Sequence, residues 1–125
     1  LHTITRPSDE DYARRALPIT LRHVRFGRFI QREIFPGGDL PQPENVIDHG
    51  CAAGFEVTRV QSLRPHYART LAMWAAALER NRDAALVVQT REVYERYLKY
   101  LTGCVELFRD GYIDVCQFTL VKGRN

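Results

Sequence analysis

The sequence predicts an α/β domain in which a small sheet is covered by several helices. Three segments alternate apolar and β-branched residues as strands do, and amphipathic segments with helical spacing lie between them. The chain has 125 residues, of which 45% are hydrophobic and 26% charged, as in one globular domain. The predicted order is strand, helices, strand, helices, strand. Because the helices outnumber the strands they cover, we expect part of the sheet to be missing.

Composition excludes several classes of protein. The longest apolar run, Leu71 to Leu78, is far shorter than the ~18 residues of a membrane-spanning helix. The net charge is +3, and the 18 basic and 15 acidic residues are interspersed, which gives no support for nucleic-acid binding. The three cysteines show no CxxC spacing, and no secretory signal is recognisable, so we expect a reduced, cytoplasmic setting.

The first strand, Leu1 to Thr5, begins without any lead-in, so we expect a chain that was processed or cut from a longer one. Ser8 has the side chain of a helix N-cap, and Pro18 ends that short helix. A longer amphipathic helix then runs from Thr20 to Ile34. Its outer face carries four arginines, at positions 22, 25, 28 and 32.

The middle of the chain reads as a loop, a short helix and a strand. Glycines and prolines predict the loop from Phe35 to Pro43. A helix from Pro43 to Ala53 follows, with Gly54 as its left-handed stop. The second strand runs from Phe55 to Leu63.

Two helices and a closing strand complete the pattern. Pro65 suits the first turn of a helix that is broken at Asn81 to Asp83. Thr90 caps the last helix and Gly111 ends it, and the final strand is Val115 to Val121. The last helix carries an apolar stripe wide enough to be buried, formed by Val93, Tyr94, Tyr97, Leu98, Leu101, Cys104, Val105 and Phe108.

Several patterns have an ordinary structural explanation. Gly37 and Gly38 follow a helix rather than a strand, which indicates a turn and not a phosphate-binding loop. His49 and Cys51 have an HxC spacing without a second ligand pair, so a solvated helix explains them better than a metal site. His23 lies among arginines and is interpreted as a surface residue.

Three residues have both a structural and a chemical interpretation from the sequence alone. His2 is a half-buried strand histidine or a functional one, and Cys104 is an inert buried thiol or a site residue. Tyr67 follows His66 at a helix start, where backbone amides favour an anion, but the sequence alone favours a core aromatic with its hydroxyl satisfied. Six further aromatic residues, spread over three helical regions, line either a tunnel or the core: Phe35, Trp74, Tyr94, Tyr97, Tyr100 and Phe108.

Long stretches of the chain resemble one enzyme family. They are Glu33-Ile34-Phe35-Pro36-Gly37-Gly38, His66-Tyr67-Ala68-Arg69-Thr70-Leu71, Tyr94-Glu95-Arg96-Tyr97-Leu98-Lys99-Tyr100-Leu101-Thr102-Gly103-Cys104 and Asp114-Val115-Cys116-Gln117-Phe118-Thr119-Leu120. Together they resemble the C-terminal part of the mycolic acid cyclopropane synthase family, S-adenosylmethionine-dependent methyltransferases that modify double bonds in long acyl chains. The resemblance covers essentially the whole chain.

The resemblance implies the C-terminal half of a class I, Rossmann-like methyltransferase with lipid-tunnel helices. Residues 1–125 then supply the last three strands of a single methyltransferase domain. The closing strand, Val115 to Val121, is expected to lie antiparallel between the other two. The glycine-rich turn that cradles the cofactor in the family is absent, so no cofactor-binding residue is assigned, and we expect the chain to be inactive by itself.

The resemblance also implies the chemistry. In the family a cis double bond attacks the sulfonium methyl, and a bound bicarbonate ion removes a proton from the resulting carbocation to close the ring. His2 and Tyr67 match residues that hold bicarbonate, and Cys104 matches a cysteine of the active site. A further four residues match pocket aromatics or tunnel wall and are assigned to substrate binding: Phe35, Leu71, Tyr100 and Phe108.

The resemblance further implies a cytoplasmic enzyme that takes acyl chains from a carrier protein or at a membrane surface. The arginine face of the Thr20 to Ile34 helix then either contacts an acidic partner or is simply solvated. A non-catalytic acyl-binding or interaction module left by truncation is the alternative function. Because its first strand has an unpaired edge, we expect the isolated chain to self-associate.

Overall fold

The computed structural model describes residues 1–123 and confirms the predicted alternation of strands and helices. The strands are β1 (His2–Thr5), β2 (Phe55–Ser62) and β3 (Asp114–Lys122). The helices are α1 (Asp9–Arg14), α2 (Leu21–Phe29), a π-helix (Ile30–Ile34), α3 (Pro43–Ala52), α4 (Arg64–Arg80), α5 (Arg82–Val88) and α6 (Arg91–Asp110). These residues fall into two compact units, which are described separately.

Unit 1 contains the sheet and comprises residues 1–18, 39–64 and those from 111 onward. The strand order is β1-β3-β2, and β3 pairs antiparallel with both neighbours, as the resemblance implied. Thr3 faces Cys116 across one pairing, and Val60 faces Phe118 across the other. The β2–β3 register shifts between Val57 and Arg59, which is a local bulge.

From Cys116 onward, buried and exposed residues alternate along β3, as expected for a strand with one face packed. Cys116 and Phe118 are buried, whereas Gln117 and Thr119 are exposed, and at the start of the strand Val115 is buried as well. Helix α1 is tied to this region through hydroxyl groups. The Tyr12 hydroxyl donates to the Tyr112 carbonyl at 2.7 Å, and the Tyr112 hydroxyl donates to the Pro18 carbonyl at 2.6 Å.

Helix starts and ends lie where capping residues and glycines in the sequence predicted them. Ser8 caps α1 by accepting a hydrogen bond from the Asp11 amide, and Thr90 accepts one from the Val93 amide at the start of α6. Gly54 and Gly111 have φ of 84° and 87°, so each ends a helix in the left-handed region that favours glycine.

Unit 2 comprises residues 19–38 and 65–110 and is helical. The helix predicted from Thr20 to Ile34 is present in this unit, but its last five residues, Ile30–Ile34, form a π-helix rather than a continuation of α2.

Two further predictions in unit 2 need correction. The break predicted at Asn81 to Asp83 is confined to Asn81, and Arg82 to Val88 form α5. The stripe of α6 is narrower than predicted, because Tyr97 is 49% exposed while Tyr94, Cys104 and Phe108 are buried. No helix within residues 1–123 is both long and apolar enough to cross a membrane.

A glycine permits the close packing of α2 on α6. A Cβ atom built on Gly103 would overlap the ring of Phe26, so the absence of a side chain at Gly103 lets this ring lie directly on the α6 backbone. Gly27, next to Phe26 on α2, would place its Cβ in open space, with nothing within 4 Å.

We therefore predict opposite effects for alanine at these two positions. Gly103→Ala should lower the free energy of unfolding by about 1–3 kcal/mol, because the ring of Phe26 must move. Gly27→Ala should raise it by about 0.5–1 kcal/mol, since alanine favours the helix and meets no neighbour. Thermal melts followed by circular dichroism compare the two variants. A Gly103→Ala chain that melts as high as Gly27→Ala would contradict this packing.

Candidate functional site

Unit 2 gathers five aromatic side chains, which we call the aromatic cluster: Phe35, Tyr67, Trp74, Tyr100 and Phe108. The Tyr67 and Phe108 ring centroids are 5.3 Å apart with the rings inclined at 66°. Tyr67 also meets Trp74 edge-on at 6.4 Å, and Phe35 meets Tyr100 edge-on at 5.9 Å. Edge-to-face contacts of this kind are the favoured arrangement of aromatic pairs.

Helical spacing explains why these rings meet. Tyr100, Cys104 and Phe108 are four residues apart on α6, so they share one face of that helix. On α4, Tyr67 and Trp74 are seven residues apart and also share a face, with Leu71 between them. The sequence therefore places four of the five rings on two helix faces, while Phe35 follows the π-helix.

The cluster has a closed side and an open side. Phe108 and Leu71 are 1% and 3% exposed and form the buried side of the cluster. Phe35 and Trp74 are 53% and 52% exposed and present apolar surface. A ligand that binds here would contact the exposed rings first.

Tyr100 and Cys104 form a neutral pair within this cluster. They lie one turn apart on α6, where each affects the pKa of the other. Burial raises the pKa of the Tyr100 hydroxyl to about 12 and that of the Cys104 thiol to about 12. A hydrogen bond from Tyr100 partly opposes the effect of burial on the thiol. At neutral pH Cys104 is therefore a protonated thiol and not a nucleophile or a base.

His2 belongs to unit 1, where it is the first residue of β1 and faces Gln117 on β3. Tyr67 and Cys104, the other two residues assigned to catalysis, belong to unit 2. His66, which precedes Tyr67, is exposed, and its carbonyl accepts a hydrogen bond from the Thr70 hydroxyl.

The other histidines have the structural roles that the sequence favoured. His49 is exposed on α3, close to the exposed Cys51. Within residues 1–123 no three His, Cys, Asp or Glu side chains lie together as a metal site would require. His23 has a more definite role than a surface residue, because its Nδ1 accepts from the Thr20 amide and completes a capping box.

The arginine face of α2 is largely solvated. Arg22 is exposed and pairs with Glu106 on α6, and Arg25 and Arg28 of α2 and Arg32 of the π-helix are exposed as well.

Sequence reasoning missed one ionic contact beside the cluster. The Nε atom of Arg96 lies 3.0 Å from a carboxylate oxygen of Glu33, and an Nη atom lies 2.8 Å from Glu92. The Glu92–Arg96 pair has an i,i+4 spacing that the sequence reveals. Glu33 is distant in sequence, and only the π-helix brings it to α6, so no local signal indicated this contact.

The neutral state of Cys104 leads to a labelling prediction. At pH 8 a thiol with a pKa of about 12 is ionised in about one molecule in ten thousand. Iodoacetamide should therefore label the exposed Cys51 at least about a hundredfold faster than the buried Cys104 and Cys116, as measured by peptide mass spectrometry. The Cys51→Ser variant is the control and should take up label only after denaturation. Comparable labelling of Cys104 in the native chain would contradict the prediction.

Comparison with known proteins places this geometry in a family. The family model of mycolic acid cyclopropane synthetase matches residues 1–118. Cyclopropane mycolic acid synthase 1 of Mycobacterium tuberculosis (strain ATCC 25177 / H37Ra) is 56% identical over 122 residues, which are 98% of this chain and 42% of that protein. The chain thus spans about two fifths of the length of the curated relatives it matches.

Solved structures agree with this similarity. The cyclopropane synthase MmaA2 from Mycobacterium tuberculosis superposes with a TM-score of 0.94 at 55% identity, covering 98% of this chain and 43% of that one. The mycolic acid cyclopropane synthase CmaA1 complexed with SAH and CTAB gives a TM-score of 0.89 at 56% identity, with the same coverage. From its sequence and its fold, the chain belongs to the mycolic acid cyclopropane synthase family.

Proposed function

We propose that this chain supplies the acyl-chain wall of a methyltransferase that transfers a methylene group from S-adenosylmethionine to a cis double bond of a long acyl chain, as in a mycolic acid. The observation that carries this proposal is the aromatic cluster, in a chain 56% identical to cyclopropane mycolic acid synthase 1 over 98% of its length. All four residues assigned to the substrate, Phe35, Leu71, Tyr100 and Phe108, lie in unit 2.

The residues described do not fit the cofactor itself. Glycine-rich turns that cradle nucleotide cofactors join a strand to a helix. Here the two such connections, residues 6–8 between β1 and α1 and Leu63 between β2 and α4, contain no glycine. We therefore propose that S-adenosylmethionine is held by polypeptide outside this chain, and that the chain alone does not transfer methyl groups.

The cluster suits a reaction in which positive charge develops on an apolar substrate. A carbocation on an acyl chain cannot be stabilised by water without being quenched by it, and aromatic faces attract a cation without reacting with it. A well-placed desolvated ring contributes about 2 kcal/mol. Phe35 and Trp74 have exposed surface for such a contact, while Leu71 and Phe108 are buried and exclude water from the other side of the cluster.

The neutral Tyr100–Cys104 pair is consistent with the same chemistry. A thiolate next to a carbocation would trap it as a thioether, whereas a buried, protonated thiol is a poor nucleophile. Burial keeps the pKa of Cys104 at about 12 and so keeps the thiol protonated. In this proposal Cys104 fills space beside the reacting carbon and takes no proton.

Proton removal is assigned by the family resemblance to a bicarbonate ion held in part by His2 and Tyr67. This assignment rests on the matching residues alone, and each residue is tested separately. The test uses a hybrid enzyme in which this chain replaces the matching segment of cyclopropane mycolic acid synthase 1. The rate of this hybrid should depend less on added bicarbonate in the His2→Ala variant and in the Tyr67→Phe variant.

A hybrid enzyme tests the proposed function directly. In this hybrid the matching segment of cyclopropane mycolic acid synthase 1 is replaced by the present chain. We predict that the hybrid transfers radiolabel from S-[methyl-¹⁴C]adenosylmethionine to a cis-unsaturated acyl substrate and forms a cyclopropane ring detectable by proton NMR. The isolated chain should neither transfer label nor bind the cofactor.

Other outcomes would contradict the proposal. A folded hybrid that binds cofactor and substrate but transfers no label would exclude the catalytic role. If the isolated chain then still bound a long-chain amphiphile, it would be a non-catalytic acyl-binding module. Micromolar binding of S-adenosylmethionine to the isolated chain would contradict the placement of the cofactor site.

A substitution in the hybrid tests the role of the rings. Phe35→Leu keeps an apolar side chain but removes the aromatic face, so we predict that kcat falls by at least about tenfold. Tyr97→Leu removes an exposed ring of α6 that lies outside the cluster, and kcat should change less than about twofold. Equal effects of the two substitutions would show that the rings of the cluster have no special role.

A further inference from the structure

Two contacts join the π-helix and Phe35, the residue directly after it, to one face of α6. Glu33 and Phe35 lie at the end of the π-helix, two residues apart. Arg96 and Tyr100 lie four residues apart on one face of α6. The first members form an ion pair at 3.0 Å, and the second members form an edge-on aromatic contact at 5.9 Å.

Glu33 supplies the ionic contact between the π-helix and α6. Arg96 is half-buried, with its side chain 28% exposed, and its Nε atom is fully buried. Its other carboxylate partner, Glu92, belongs to α6 and so holds nothing outside that helix. The Nε atom makes no hydrogen bond to Glu33, so the contact is an ion pair without one. Removing Glu33 therefore takes away the carboxylate that links Arg96 to the π-helix, whereas removing Glu92 leaves this link in place.

Phe35 needs such a support because its own packing is weak. It is 53% exposed, and it follows the π-helix in a backbone conformation outside the helical region, with φ of −128° and ψ of 78°. A single edge-on ring contact is too weak to fix a half-exposed side chain. An ion pair two residues away removes the freedom of the backbone that carries the ring.

We infer that Glu33 and Arg96 are a positioning pair that docks the π-helix on α6 and so fixes the ring of Phe35 at the acyl-chain wall. Neither residue touches the reacting atoms in this account. The inference rests on the proposed function for its effect on turnover, but its structural part stands on the contacts of unit 2 alone.

Two alanine variants of the full chain form a matched test. Glu33→Ala and Glu92→Ala each remove one carboxylate from Arg96, and alanine is the best helix former, so neither should prevent folding. In Glu33→Ala the NMR cross-peaks between the Phe35 and Tyr100 rings should disappear, and Cys104, one turn from Tyr100 on α6, should react with iodoacetamide at least about tenfold faster. Glu92→Ala should keep the cross-peaks and change the labelling rate less than about twofold. Glu33→Gln, which retains an acceptor oxygen, should recover part of the difference.

The same variants in the hybrid enzyme test the effect on catalysis. We expect Glu33→Ala to lower kcat by about tenfold while the KM for S-adenosylmethionine stays within about twofold, and Glu92→Ala to leave both unchanged.

If the full chain shows no loss of the ring contact in Glu33→Ala, or an equal loss in Glu92→Ala, the inference is wrong. If the contact is lost but kcat is unchanged, Glu33 has only a structural role, and the inference is again wrong. If the hybrid is inactive with the unchanged chain and with each variant, the proposed function is refuted instead. The measurements on the full chain would still decide whether Glu33 and Arg96 dock the π-helix on α6.

Discussion

The packing of one face of α6 is the constraint on which the rest of unit 2 depends. Four contacts join this face to other elements of the unit, in order along α6: Arg96 with Glu33, Tyr100 with Phe35, Gly103 with Phe26, and Phe108 with Tyr67. Because these positions are three to five residues apart, a rotation of α6 that improves one contact would break the others. The helix therefore has one rotation about its axis at which an ion pair, two ring contacts and a close backbone approach all form.

The same packing determines the chemistry that the cluster permits. Burial along this face keeps the Cys104 thiol and the Tyr100 hydroxyl protonated, with pKa values raised to about 12. The cluster then contains no anionic nucleophile, while its open side presents aromatic surface at Phe35 and Trp74. A site of this kind can stabilise a cation on an acyl chain without capturing it, which is the requirement of ring closure by loss of a proton.

The sequence predicted the starts and ends of helices well where a few neighbouring residues determine them. Helix caps at Ser8 and Thr90 and helix ends at Gly54 and Gly111 depend on a few neighbouring residues, and all four are confirmed. The antiparallel closing strand is a different case. Alternation along Val115 to Val121 predicted a strand, but only the family resemblance predicted that β3 would lie between β1 and β2.

The sequence predicted which residues belong to the candidate site, but it did not predict which of them contact each other. Apolar spacing placed Cys104 and Phe108 on one stripe of α6, but it placed Tyr97 there as well, and Tyr97 is exposed, because a stripe does not show where its packed part ends. The π-helix could not be read from its sequence, since one extra residue in a turn leaves no distinct pattern. The Glu33–Arg96 contact depends on that turn and was missed with it.

The central claim is that an acyl chain lies against the aromatic cluster rather than against other apolar surface of unit 2. Photo-crosslinking of the full chain with a diazirine-bearing long-chain amphiphile tests it most directly, since trypsin separates Tyr97 from Tyr100 by cleaving after Lys99. The account predicts label in the peptide of residues 100–109, in the peptide that contains Phe35 and in the peptide of residues 70–80, which contains the exposed Trp74. Label concentrated in residues 97–99, or in residues 83–91 with the exposed Val87 and Val88, would contradict it.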